Sequence, residues 1–125
     1  LVTKGDPTLQ NEKIAKLKIK SYFKEIIIVP TNEDKYFAFK HLIDKYNKRA
    51  GEAVVVGDKI KSEILYGNIL GTKTIQLIQG RHSKNYYPQY ELEIPTYSIY
   101  DIREIINIIC AEFLDTQEIK KLKTS

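Results

Sequence analysis

Apolar residues in this chain follow two rhythms. At residues 26–29, 53–56 and 74–78 they fall in short runs rich in β-branched side chains, ending near Pro30, Gly57 and Gly80. Such runs predict strands buried on both faces. Between them apolar positions recur at helical spacing. Leu9, Ile14 and Leu17 form one stripe, and Phe37, Leu42, Ile43 and Tyr46 a second. Ile60, Ile64 and Leu65 predict a short helix, and Ile102, Ile105, Ile106, Ile109 and Phe113 the inward face of a last one. Leu1-Val2 reads as the end of a strand. In the turn cluster that follows, Pro7 suits a first helical turn. Thr31 or Asn32 is placed to cap the second helix and Asp101 the last. Beyond Gly80 the pattern loosens. Residues 81–89 predict a polar, aromatic loop, residues 90–94 a short strand, and the charged tail from Thr116 is expected to fray.

Strands alternating with helices, each strand apolar along its length, predict an α/β fold: a mainly parallel sheet covered on both faces in a three-layer arrangement. In such sheets ligands sit beyond the C-terminal ends of the strands. The residues there are Thr3-Lys4-Gly5, Pro30-Thr31-Asn32 and Gly57-Asp58, all small or polar.

Composition narrows the class. The chain has 125 residues, enough for one domain, with 42% hydrophobic and 29% charged residues, as expected of a soluble globular protein. No apolar run approaches the ~18 residues of a membrane span, and no signal-like pattern occurs, so a soluble, cytoplasmic location is expected. Cys110 stands alone and lies in an apolar helical pattern, which reads as a structural thiol. The net charge of +4 owes much to Lys13, Lys16, Lys18, Lys20 and Lys24 and to Lys120, Lys121 and Lys123. Without a recognised motif, that charge makes nucleic acid an unlikely partner.

Three strand ends carry candidate chemistry. Asp58 follows a strand directly, after a glycine, and Glu63 comes five residues later. Two hard carboxylate ligands suit Mg²⁺, which takes one or two protein carboxylates together with waters and phosphate. The competing reading is a helix cap at Asp58 and a solvated Glu63. Lys35 starts a helix, where the helix dipole disfavours a cation; it is either a phosphate-neutralising lysine or a surface one. Thr3, with the backbone N–H groups of Lys4 and Gly5, can cradle a phosphate or simply close a turn. His82 and His41 read as solvated. Tyr86, Tyr87 and Tyr90, interleaved with Arg81 and Lys84, read as anchors of a loop or as a stacking surface.

Taken in order, Thr3 after one strand, Lys35 after the next and Gly57-Asp58 with Glu63 after the third resemble the last three signature motifs of the haloacid dehalogenase-like (HAD) hydrolases. The resemblance runs through LVTKGDPTLQNEKIAKLKIKSYFKEIIIV, EDKYFAFKHLIDKYN and AVVVGDKIKSEILYGNILGTKTIQLIQG. It continues past the acids through Gly67, Gly71 and Thr74. It implies a Mg²⁺-dependent phosphohydrolase that works through an aspartyl-phosphate intermediate on a phosphorylated small molecule. Thr3 and Lys4 would bind the phosphoryl group, and Lys35 would bridge nucleophile and phosphate. Asp58 and Glu63 would hold the metal, with Glu63 orienting Lys35 as its other possible role.

The family's first motif, Asp-x-Asp on the central strand, does not occur here. Residues 1–115 are therefore expected to form the C-terminal part of a HAD-like core, with 116–125 as a tail. The nucleophile would come from an N-terminal part of the same protein or from a second copy, and the sheet would carry a gap with two unpaired edges. An inactive binding or dimerising module, and a small α/β protein binding nucleotide or nucleic acid, remain as other readings.

Overall fold

Each of the apolar runs forms a parallel strand, and the strands separate into two ladders. The structure, a computed structural model, describes residues 1–80 and 86–114. The elements follow as β1 (Val2–Lys4), α1 (Pro7–Leu17), β2 (Ile27–Val29), α2 (Asp34–Lys45) and β3 (Val54–Gly57). A π-helical turn (Ile60–Ile64) then runs into α3 (Leu65–Leu70), followed by β4 (Lys73–Leu77), β5 (Tyr97–Ile99) and α4 (Ile105–Phe113). β1 pairs with β2, with Thr3 opposite Ile28. β3 pairs with β4 and β4 with β5, with Gly57 opposite Gln76 and Gln76 opposite Ser98. Every pairing is parallel, and β1 and β3 do not pair.

Between the two ladders lies a cleft of about 510 Å³. Leu1 and Val2 line it from the β1 side and Val54 and Val56 from β3, with Leu42 of α2 and Ile105 of α4 also lining it. Its apolar walls belong to β1 and β3, the two strands that face the gap with one edge unpaired. The divided sheet expected from the absent first motif is thus what the chain forms.

Local signals placed the element ends well. The Asp6 carboxylate caps α1 by accepting from the Leu9 N–H at 3.0 Å, with Pro7 in the first turn. Neither Thr31 nor Asn32 is the N-cap of α2: that position is Glu33, which makes no side-chain capping bond, although the Thr31 hydroxyl accepts from the Asp34 N–H at 3.3 Å just ahead of it. Asp101 and Glu104 form a capping box before α4. Gly71 ends α3 in the left-handed region at φ +86°. Gly67 lets α3 lie against the sheet: a Cβ there would meet Thr74 Cγ2 at 2.6 Å and Val55 Cβ at 3.1 Å.

Three expectations fail. The segment 90–94 is not a strand. Its centre is a 3₁₀ turn (Glu91–Glu93), because Glu93 turns inward to accept from the Tyr86 hydroxyl and the Gln89 N–H. The third strand of that ladder is Tyr97–Ile99 instead, docked where Thr74 and Thr96 exchange backbone-to-hydroxyl bonds at 3.0 and 3.1 Å. The proposed inward stripes are also incomplete: Phe37, Ile102 and Ile106 are largely exposed, and the buried face of α2 carries Lys35 and Ala38. Finally, Cys110 is half-buried rather than fully enclosed. The frayed tail expected from Thr116 onward lies outside the described residues. Among the described residues, no helix is long and apolar enough to cross a membrane.

Candidate active site

The ends of β2 and β3 are joined by one buried ion pair. Lys35, in the first turn of α2, donates from Nζ to Glu63 Oε1 at 3.1 Å, and the side chains are 10% and 14% exposed. This explains why a lysine stands where the helix dipole disfavours one: the carboxylate of the π-helical turn supplies the compensating charge. Removing a charged pair from water is costly, so both partners need further polar company. Glu63 does not have it. Its second oxygen, Oε2, is buried and has no hydrogen-bond partner. An orphaned, acceptor-only carboxylate oxygen at the mouth of a strand is a group in want of a donor or a cation.

The space beside Gly57 is filled from within the chain: a Cβ there would stand 2.5 Å from Glu63 Cγ. The glycine thus lets the Glu63 stem fold back across the strand end and reach Lys35. Asp58 follows directly, half-buried in the turn after β3. The residue between it and the π-helical turn, Lys59, makes no side-chain capping bond.

The β1 end is built separately. Gln10, one turn into α1, donates from Nε2 to the Lys4 carbonyl at 2.5 Å and lies 3.3 Å from Thr3 Oγ1. The Gly5 N–H, expected to be open to a phosphate, donates to the Val29 carbonyl at 3.0 Å and is thereby taken. Thr3 and Lys4 thus stand in a network organised by Gln10, and among the described residues no hydrogen bond links them to Lys35 or Glu63. Gln10 was not singled out from sequence, since a glutamine on an exposed helix face carries no signal until the strand beside it is known.

The other aromatic and histidine candidates divide. Tyr86 does anchor its segment: its hydroxyl donates to both Glu93 oxygens at 2.9 and 2.7 Å. That carboxylate pushes the Tyr86 phenol up to about 12, and the phenol in turn holds Glu93 below the usual glutamate range. Tyr87 and Tyr90 are exposed. His41 is on the surface; His82, Arg81 and Lys84 lie outside the described residues. Away from the site, Glu25 accepts from Lys45 and Tyr46 at 2.9 Å each and is held below its ordinary value by them.

Comparison with known proteins bears on the fold. No protein-family model matches the chain. It is 29% identical over 112 residues to a glyceraldehyde 3-phosphate phosphatase of Pyrococcus furiosus, a match covering 87% of this chain and 45% of that protein. The Pyrococcus abyssi protein of the same name is 33% identical over 84 residues, covering 65% of this chain and 35% of that protein. The chain therefore spans about half the length of the curated relatives it matches, or less. Among solved structures it superposes on the HAD-hydrolase YfnB from Bacillus subtilis, solved bound to magnesium. The TM-score is 0.68 at 20% identity, over 86% of this chain and 47% of that one. A haloacid dehalogenase-like hydrolase from Xanthomonas campestris gives 0.69 at 20% identity, over 94% and 47%. In fold the chain is that of the HAD hydrolases, and the curated proteins it resembles in sequence are phosphatases.

Proposed function

We propose, from that shared fold, that this chain supplies the phosphoryl- and metal-binding side of a phosphohydrolase of the HAD type. The observation that carries the reading is the buried Lys35–Glu63 pair across two strand ends, with Glu63 Oε2 left without a partner. Lys35 Nζ is placed to neutralise charge gathering on a transferred phosphoryl group, the main demand of a charge-rich transition state. Thr3 Oγ1 and the Lys4 N–H bind phosphoryl oxygens from the β1 side. Asp58 and Glu63 would hold Mg²⁺, and the donor set fits it. Among the described residues no group of three or more such ligands occurs, but Mg²⁺ needs only one or two carboxylates, and the orphaned oxygen of Glu63 is available. When bound, the ion would draw negative charge from the phosphoryl oxygens.

The nucleophile comes from outside this set of residues. A strand seated in the cleft between β1 and β3 would pair with both free edges and present an aspartate beside Lys35. That carboxylate attacks phosphorus, the alcohol of the ester leaves, and water then hydrolyses the aspartyl phosphate. In this reading residues 1–115 form the C-terminal part of the core. The strand belongs to an N-terminal part of the same protein or to another copy. The substrate is a phosphorylated small molecule, and the names of the relatives make glyceraldehyde 3-phosphate the first to assay.

The test compares two proteins with Mg²⁺ present: this chain alone, and this chain joined to or mixed with a segment ending in Asp-x-Asp. Hydrolysis of an aryl phosphate is expected only from the second, and Lys35→Met in it is expected to lose at least ~100-fold in kcat. Turnover by the chain alone sinks the account of the nucleophile. A complete but inactive assembly sinks the catalytic reading and favours a binding module.

A further inference from the structure

Gln76 is out of keeping with its surroundings. It lies within β4 between Ile75 and Leu77, and only 5% of it is exposed. No described residue hydrogen-bonds to its carboxamide. Among the described residues the enclosed side-chain atoms without a partner are those of Ser62 and Glu63, so the Gln76 carboxamide tip stays in reach of the open space in front of it. The side chain lines a cavity of about 390 Å³ together with Ile60, Ile78, Tyr86, Tyr87 and Tyr100. That volume lies within the ~300–1,000 Å³ of small-molecule sites, which combine apolar and aromatic walls with a few placed polar groups.

The cavity has one fixed wall and an open rim. Tyr86 is locked by its two bonds to Glu93, itself 4% exposed, and Lys61 Nζ sits 4.4 Å from the Tyr86 ring centroid. Tyr87 and Tyr100 stand exposed at the mouth. The site is separate from the ion pair, although it is near: Gln76 lies opposite Gly57 in the ladder, and Ile60 comes two residues after Asp58.

We propose that this cavity binds a planar heteroaromatic ring of the adenine type. A carboxamide offers one donor and one acceptor side by side. That pattern matches the amino group and neighbouring ring nitrogen of adenine, which glutamine reads in a bidentate manner. The tyrosine rings provide faces for stacking. A purely apolar ligand would displace water from the amide and offer it no hydrogen bond in return. A sugar would bring many hydroxyls to a floor where the Tyr86 hydroxyl is already committed to Glu93.

The proposal does not rest on the phosphohydrolase reading, and adenosine, which carries no phosphate, keeps the two apart. Adenosine, N6,N6-dimethyladenosine and phenol are titrated into the protein by calorimetry, with the side-chain amide signals followed by ¹⁵N NMR. Saturable adenosine binding that shifts the Gln76 amide is expected. The dimethyl analogue, which lacks the N6 donor, and the variant Gln76→Leu should each weaken binding at least ~tenfold. Tyr87→Ala, an exposed change that does not disturb the core, should weaken it by about fivefold or more through lost stacking, and decides the matter if Gln76→Leu fails to fold. The proposal is overturned if adenosine does not saturate, if the dimethyl analogue or phenol binds as well, or if Tyr87→Ala leaves the affinity unchanged.

Discussion

The two ladders differ in how far they complete themselves. The β3–β4–β5 ladder, with the π-helical turn and α3 laid on it, contains the fully buried side chains Ser62, Ile64, Thr74 and Ile75. Its threonines satisfy one another and α3: Thr72 bonds the Gly67 carbonyl, and Thr74 bonds Asn68 and Thr96. The β1–β2 ladder has two strands of three residues each. Around it, among the described residues, the buried apolar side chains are Ile14, Val29 and Ala38, while Leu9, Leu17 and Phe37 are largely exposed. Two short strands are marginal by themselves; three with a packed helix are not. The candidate site is split along the same line. Thr3, Lys4 and Lys35 belong to the weaker half and Asp58 and Glu63 to the stronger. A working geometry therefore depends on the halves being held in register, which the Lys35–Glu63 pair does in part and a strand in the cleft would do fully.

The sharpest way to test this division is to cut the ion pair. Lys35→Ala leaves Glu63 buried without a counter-charge and should cost ~3–5 kcal/mol in urea denaturation. Hydrogen exchange should show β1 and β2 losing protection first while β4 keeps it; equal protection of all strands in the unaltered protein would break the comparison. Next in size is a pair of truncations. Ile75→Ala in the stronger ladder should cost ~2–5 kcal/mol. Leu17→Ala, on the exposed face of α1, should stay within ~0.5 kcal/mol.

A smaller effect tests the Tyr86–Glu93 anchor through pH. The folded phenol sits at about 12, above its ordinary value of ~10. Its contribution to stability is therefore complete below ~10 and lost as pH rises through about 12. Glu93 is depressed, so its share is complete above the ordinary glutamate value of ~4.3 and lost as pH falls through the lower folded value. Thermal unfolding of Tyr86→Phe against pH should lack the alkaline arm and show a reduced acid arm. The least effect is expected from Ser62→Ala. The Ser62 hydroxyl is buried and has no partner, so its loss should be neutral or stabilising by up to ~1 kcal/mol in denaturant melts.

Much of this was legible along the chain. The apolar runs, with the turn and cap residues Asp6, Pro7, Gly71 and Asp101, specified strands and helices in an order that admits parallel pairing. The order of Thr3, Lys35, Asp58 and Glu63 put these residues at or just beyond strand ends, and the missing Asp-x-Asp foretold a divided sheet. Those signals are local or are set by element order, which is why sequence alone carried them. Other features required the fold. That Gly57 makes room for Glu63 depends on a side chain folding back across a strand end. That Gly5 is unavailable to phosphate depends on Val29, a strand away. The strand at Tyr97–Ile99 exists because Thr74 and Thr96 meet, and residues 90–94 turn because Glu93 finds Tyr86. Gln76 showed in sequence as one polar residue within an apolar run, but its meaning came from the cavity in front of it. Periodicity states which residues can be covered. What covers them, and which buried polar atoms are left without partners, is decided by contacts between segments far apart in the chain.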